Sequence, residues 1–403
     1  MLKRRPRLFR ALLAVLVAVL GAGGTAAATV QDFIAGLGPA QQQEFTTWHT
    51  AQAHFERRLD AYWREVDRKR SERRAKRSGT KLYDTVDYVW SFPPQYEGPK
   101  LSADLDTQWT RFQAAQEAAE PETAKKQLPG VGDFLAAAKT NYGFEPERIS
   151  EREFKRRYAE EALTLGLTKE QVVRVYALET GGMGTADMQA GINPISKKGK
   201  PISSALGYAQ LLHANTVGEL VKHGGSYITR LKKMQAATRD PARAEQLKRK
   251  IAALQLMLRS ARSVPDDWYR HVAFAQTPRG YGMHAINLDG DIGPWLQSMK
   301  LRGLKDFAAR KGMTNMSGEE IELMNLSGPA TGLEMMQPVG LTAPTPNFFA
   351  RRAYYVNKMV MGKTSAELLA DFTRRMDNSS QKAGAIEFAQ AFDEARQEKL
   401  PWR

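Results

Sequence analysis

A glutamate at the end of an apolar segment is the residue of this sequence best placed to do acid chemistry. The stretch TKEQVVRVYALETGG, residues 168–182, carries Glu179 just before a pair of glycines. Thr168 followed by Gln171 is typical of a helix N-terminus, and glycines are typical of a helix end. The pattern predicts that Glu179 lies in the last turn of a largely buried helix. Burial and the helix dipole would both keep its carboxyl protonated near neutral pH.

A second segment with polar groups follows after a loop. It reads SALGYAQ, residues 204–210, and Thr216 comes shortly after it. Gly207 suits a close approach of the backbone to another group. The amide of Gln210 can donate to and accept from sugar hydroxyls, or hold a catalytic carboxyl. We expect this segment to face Glu179.

Together these segments resemble the lysozyme-like lytic transglycosylases, as a divergent member of that superfamily. Its members place a catalytic Glu before Ser/Thr-Gly at a helix end, followed by Ser-Ala-x-Gly-x-x-Gln and a Thr. The likeness covers about residues 150–373. It implies a mainly α fold with a lysozyme-like helical catalytic domain, in which Glu179 is the catalytic acid.

The superfamily also has a downstream Tyr-Asn turn, for which two positions are candidates. We prefer Asn325, before Gly328-Pro329, because a helix with aromatic residues follows it; the rival is Asn287, before Gly293-Pro294. Both lack the family tyrosine, and the candidate hydroxyls to replace it belong to Tyr281, Tyr354 and Tyr355. The resemblance implies substrate binding by Thr180, Ser204, Gly207, Tyr208, Gln210, Asn325 and Tyr355.

The implied reaction is cleavage of the bond between N-acetylmuramic acid and N-acetylglucosamine in peptidoglycan, with 1,6-anhydro-muramyl products. One Glu would act first as acid and then as base, and the reaction requires no metal or organic cofactor. One alternative is a muramidase that uses Asp187 as a second carboxylate beside Glu179. Another is a non-catalytic protein that binds cell wall through a lysozyme-like fold. The six histidines show no spacing typical of a metal site.

The first 28 residues are typical of a cleaved export signal. Basic residues precede the apolar run 11–20, and the small residues 26–28 end at Ala28, where we expect cleavage. The apolar run is shorter than the roughly 20 residues that span a bilayer. We therefore expect an exported protein, periplasmic or secreted. The absence of cysteine excludes disulfides and thiolate chemistry.

The composition is strongly basic, with a net charge of +15 that falls to about +10 without the five basic residues of the signal. Outside the cytoplasm such a surface attracts wall polymers and anionic membranes. We therefore expect peptidoglycan strands as the partner, envelope or membrane-surface contacts through basic segments as a further one, and no nucleic acid.

Helical periodicity dominates the remaining sequence and predicts a mainly α chain. After the signal we expect an N-terminal helical region at 29–130, with a helix at 41–77 that ends in an exposed basic run. An aromatic, proline-rich loop covers 81–108. The catalytic domain would occupy 131–375, with an inserted, solvent-exposed helical hairpin at about 227–262 that turns at Asp240-Pro241. A helical tail would occupy 376–403.

Overall fold

The protein is mainly α, which confirms the predicted fold class. A computed structural model describes residues 29–78, 83–119 and 128–398. Over these ranges the chain is 70% helical, with 17 α-helices and no β-strand. In chain order the helices are α1 Val30–Ala35, α2 Pro39–Ser78, α3 Ala103–Ala119, α4 Val131–Tyr142, α5 Glu151–Thr164, α6 Lys169–Thr180, α7 His213–Ala237, α8 Pro241–Arg262, α9 Trp268–Ala275, α10 Pro278–His284, α11 Ile292–Ala309, α12 Gly318–Ser327, α13 Pro329–Met335, α14 Pro338–Thr342, α15 Arg351–Val356, α16 Ser365–Ser380 and α17 Ala383–Glu398.

The chain divides into two compact units. Among the described residues, the first comprises 29–78, 83–119 and 337–366, and the second comprises 128–336 together with 367–398. Segment 337–366, expected in the catalytic domain, thus groups with the N-terminal region. The expected C-terminal tail is instead part of the second unit, where α17 packs against α5 and α6.

The first unit is built on the long helix α2. An aromatic cluster of Phe45, Trp48 and Trp109 packs α2 against α3. The basic end of α2 differs from the predicted exposed run, because Arg73 is buried and its guanidinium lies 4.5 Å from the centre of the Tyr88 ring. Residues 83–102 contain one 3-10 turn at Thr85–Asp87 and are otherwise non-helical, as their prolines predict.

The second unit contains the larger core, and α7 and α8 are part of it. The predicted turn is confirmed, since Asp240 caps α8 and Pro241 is its first residue. The predicted solvent exposure of this hairpin is wrong. The apolar faces of α7 and α8 bury Leu231 and Leu254 completely within the core of the unit. The hairpin is therefore a structural element of the second unit rather than an exposed insertion.

Within the described ranges, no helix has both the length and the apolar character required to span a bilayer. The predicted export signal, residues 1–28, lies outside the described residues.

Candidate active site

Helix α6 places Glu179 as the sequence predicts. The capping box is present: Thr168 accepts from the backbone N–H of Gln171, and the Gln171 side chain accepts from that of Thr168. Val172, Tyr176 and their apolar neighbours bury one face of the helix. The helix ends at Gly181, whose φ of 63° is a left-handed conformation that glycine adopts without strain. Glu179 lies in the last turn and remains partly exposed.

The closest described partners of Glu179 lie on α12, which packs against α6. The Nδ2 of Asn325 donates to Glu179 Oε1 at 2.9 Å and lies 3.3 Å from Oε2 of Glu322. The carboxyls of Glu179 and Glu322 thus meet at one amide nitrogen, and each acts on the pKa of the other. Asn325 and Glu322 are three residues apart on one helix face, so a single face of α12 supplies both contacts. We call Glu179 and Glu322 the carboxyl pair.

The surroundings of the carboxyl pair favour the protonated state. Burial raises the pKa of Glu179 to about 7, against the opposing effect of its hydrogen bonds with Glu322 and Asn325. Burial, and then the neighbouring charge of Glu179, raises the pKa of Glu322 well above its usual range. Glu322 is only 4% exposed. The arrangement therefore offers a proton near neutral pH at a carboxyl that solvent can partly reach.

Sequence reasoning missed Glu322 and Lys300. Burial and Glu179 raise the pKa of Glu322, and the ammonium of Lys300, on α11, opposes that rise. A signal for Glu322 was present, because it lies one helical turn before Asn325. No comparable signal exists for Lys300, which approaches from a separate helix.

The predicted preference for Asn325 over Asn287 agrees with the geometry. Asn287 is fully buried, and its amide donates to Thr216 Oγ1 and to the carbonyl oxygen of His284, each at 3.0 Å. Thr216 and His284 also contact each other at 2.8 Å. Asn287 therefore belongs to a polar network in the core.

Gln210 holds its own loop together. Its Nε2 donates to the carbonyl oxygens of Gly207 at 2.7 Å and Met188 at 3.2 Å, which uses both amide hydrogens. The φ of Gln210 is 42°, and these bonds secure that uncommon conformation. The described amide contact with Glu179 thus comes from Asn325, while the Oε1 of Gln210 retains acceptor capacity.

Gly207 makes the close approach that its residue type predicts, but to a side chain of the protein. Its φ is 79°, and a Cβ at this position would lie 2.4 Å from Nε2 of Gln297. Gln297 Oε1 accepts from the backbone N–H of Ala209 at 3.2 Å. Gly207 therefore allows the loop to lie against α11.

Three other residues expected to bind substrate serve packing or loop structure. Tyr208 is 1% exposed, with its hydroxyl donating to Glu151 Oε2 at 2.6 Å and its ring 4.8 Å from that of Tyr176. Thr180 is buried and donates to the Tyr176 carbonyl oxygen at 2.7 Å. Ser204 is buried against His213. In this structure these side chains leave little polar surface for a substrate.

Tyr354 and Tyr355 lie in the first unit. The Tyr355 ring packs 5.8 Å from that of Trp63, and the Tyr354 hydroxyl accepts from the backbone N–H of Gly362 at 2.9 Å. Tyr281 lies in the second unit, with its ring 6.3 Å from that of His213. The described partners of each tyrosine proposed to replace the family hydroxyl are thus residues other than the carboxyl pair.

Asp187, the alternative second carboxylate, is held by cations. Arg148 and Lys197 bind it at 3.0 and 3.1 Å, and the Thr185 hydroxyl donates at 2.6 Å. Although burial alone would raise its pKa, these hydrogen bonds lower it to about 2. Asp187 is therefore ionised, with its charge neutralised locally.

In the described part of the chain, no group of three or more His, Cys, Asp or Glu side chains is arranged to hold a metal ion. Comparison of the chain with protein-family models, with curated proteins and with solved structures finds no match in any of the three.

Proposed function

We propose that the protein is a peptidoglycan lytic transglycosylase with a lysozyme-like catalytic domain, and that Glu179 is its catalytic acid. The observation that carries this proposal is the carboxyl of Glu179: partly exposed at a helix end, hydrogen-bonded by Asn325, and with its pKa raised to about 7 by burial. A carboxyl that still holds its proton near neutral pH is what cleavage of a glycosidic bond requires.

In the proposed reaction Glu179 gives its proton to the glycosidic oxygen as the bond from that oxygen to C1 of N-acetylmuramic acid breaks. The acetamido oxygen of the same sugar bonds to C1 and stabilises the positive charge there. The Glu179 carboxylate then takes the proton of the C6 hydroxyl, whose oxygen displaces the acetamido oxygen at C1. A 1,6-anhydro end results, and Glu179 regains the proton that it gave.

The geometry supports this route over hydrolysis by two separate carboxylates. Hydrolytic glycosidases hold their carboxyls about 5–9.5 Å apart, on the two sides of the sugar. Glu322 instead contacts the same Asn325 amide nitrogen as Glu179, which leaves no room for a sugar between the two carboxyls. Asp187 is engaged by two cations. One acid that later acts as base fits these contacts better.

The substrate and location that we propose follow the same reasoning. An exported basic protein is attracted to the anionic polymers of the wall, and the exposed Lys198 and Lys200 add positive charge to the loop that follows α6. We therefore propose peptidoglycan strands as the partner, in the periplasm or outside the cell.

Two matched variants test the proposal. Glu179→Gln keeps the shape of the side chain but removes the acid, so release of soluble fragments from purified peptidoglycan should fall at least about 100-fold. Asp187→Asn should retain activity to within about threefold, since its carboxylate has no part in the proposed chemistry.

Undiminished cleavage by Glu179→Gln would contradict both glycosidase mechanisms. Loss of activity in both variants, with both folded by circular dichroism, would favour the muramidase. Binding of peptidoglycan by the intact protein without cleavage would favour the non-catalytic alternative.

A further inference from the structure

The carboxyls of Glu179 and Glu322 meet at the amide nitrogen of Asn325, which makes them close neighbours. The two side chains come from different helices, α6 and α12, and Glu322 is buried. An ionised carboxylate has only acceptor atoms, so two carboxyls can bond to each other only when one of them carries a proton. Neighbouring carboxyls in a poorly solvated place therefore favour one shared proton over two negative charges.

Asn325 fixes this arrangement. Its amide nitrogen has two hydrogens and lies within 2.9 Å of Glu179 and 3.3 Å of Glu322. Each carboxyl can therefore accept one N–H on one of its oxygens. The proton between the two carboxyls is then free to belong to either of them.

One described cation acts on the carboxyl pair. Helix α11 contributes it as Lys300, whose charge acts on Glu322. Burial lowers the pKa of Lys300, Glu219 on α7 opposes this effect, and Lys222 on α7 adds to it. The other charged side chains of α6 and α12 have described partners elsewhere: Lys169 binds Asp393, Arg174 binds Glu170 and Glu319, and Glu320 caps α12. Helix α13, which packs on α12, carries the buried Glu334. Among the described charges one cation thus acts on two carboxyls, which favours one net negative charge on the pair.

We propose that Glu322 is a positioning residue that shares one proton with Glu179, so that the carboxyl pair carries one proton and one negative charge in the free protein. This inference rests on the proposed function of Glu179. It also gives Glu322 a second role, in the reaction itself. When Glu179 gives the shared proton to the leaving oxygen, both carboxyls become negative in a poorly solvated place. That state is a strong base, which favours uptake of the proton from the C6 hydroxyl and restores the shared proton.

The test is a titration of the protein without substrate. The ¹³C resonance of the Glu179 carboxyl, assigned through Glu179→Gln, is followed with pH in the wild type and in Glu322→Gln. In the wild type the Glu179 resonance should change in two steps, because a coupled pair loses its two protons separately. Glu322→Gln should leave one step, at least about one pH unit below the upper step of the wild type, because a second negative charge no longer opposes the loss of the last proton. The control is Glu245→Gln on α8, which removes an exposed carboxyl of the same unit and should leave both steps in place.

A single step in the wild type, or an upper step that moves by less than about 0.3 unit in Glu322→Gln, would overturn the proposal. If that variant does not fold, the same titration is carried out on Lys300→Met. Loss of the opposing cation should raise the midpoint of the pair, and an unchanged or lower midpoint would overturn the sharing of a proton.

Activity provides the link to the reaction. The alkaline limb of the pH profile of peptidoglycan cleavage should move to lower pH in Glu322→Gln by the same interval as the titration, which a purely structural role would not produce. Because the titration needs no substrate, a positive titration without any glycan cleavage would refute the proposed function and leave the shared proton standing.

Discussion

Two pairs of buried carboxyls lie in the second unit, and they differ in the cations around them. Asp289 and Asp291 surround the ammonium of Lys250, which lies 2.9 Å from Asp289, and Arg243 binds Asp291 through both carboxylate oxygens at 2.8 Å. Glu179 and Glu322 share one amide and face one lysine charge.

The comparison shows how the same residue type can serve structure or chemistry. The cations around Asp291 lower its pKa even though burial would raise it, so that its charge remains in the core as half of an ion pair. Burial raises the pKa of Asp289, and the charge of Lys250 opposes this rise. Without comparable cations, burial raises the pKa of Glu179 and of Glu322, which keeps a proton available. The first pair links α8 to the start of α11, whereas the second has a proton to give.

The largest effect on stability should come from removing Lys250, the cation between Asp289 and Asp291. Lys250 is 4% exposed, and Lys250→Met would leave two carboxylates buried without their shared ammonium. We expect the free energy of unfolding to fall by about 3–5 kcal/mol, as for other broken buried ion pairs. Urea denaturation at pH 7 measures this change.

The control is Lys248→Met on the same helix. Lys248 is exposed and forms a surface ion pair with Glu245 at 3.3 Å, so its loss should change stability by less than about 0.5 kcal/mol. A loss below about 1 kcal/mol for Lys250→Met would mean that the aspartate pair does not depend on its cation.

Replacing Glu322 of the carboxyl pair should have a smaller effect on the free energy of unfolding, and this effect should be a gain rather than a loss. The pKa of Glu322 is higher in the folded than in the unfolded chain, so the folded state retains a proton that the unfolded state releases as pH rises above about 4.5. Stability from this group therefore falls with rising pH. Glu322→Gln removes this loss and should stabilise the protein by about 1–2 kcal/mol at pH 8, with little change at pH 4.

Thermal unfolding of both proteins across that pH range measures the difference. Equal stabilities at pH 4 and pH 8, or a variant that is less stable only at alkaline pH, would show that Glu322 is not held in a protonated state.

Local patterns in the sequence predicted the helices and the position of Glu179 well. Capping at Thr168 and the glycines after Thr180 depend on a few neighbouring residues, and both are present as predicted. Asn325 was chosen through the family resemblance, and its amide contacts Glu179.

Contacts that depend on tertiary packing were not predictable in this way. Burial of Tyr208 and the use of Gln210 within its own loop follow from how the loop lies against α5, α6 and α11. Helix α8 has a charged sequence, yet Lys250 points inward because it forms ion pairs with Asp289 and Asp291, just before α11. Glu322 acquires its role only because α12 brings it to the end of α6.

The most direct test of the account is digestion of purified peptidoglycan by the intact protein in H₂¹⁸O, with the masses of the products measured. The account predicts 1,6-anhydro-muramyl ends that contain no ¹⁸O, since the C6 hydroxyl and not water attacks C1, and it predicts that Glu179→Gln forms none. Reducing ends that carry ¹⁸O would contradict it, as would the absence of any cleavage.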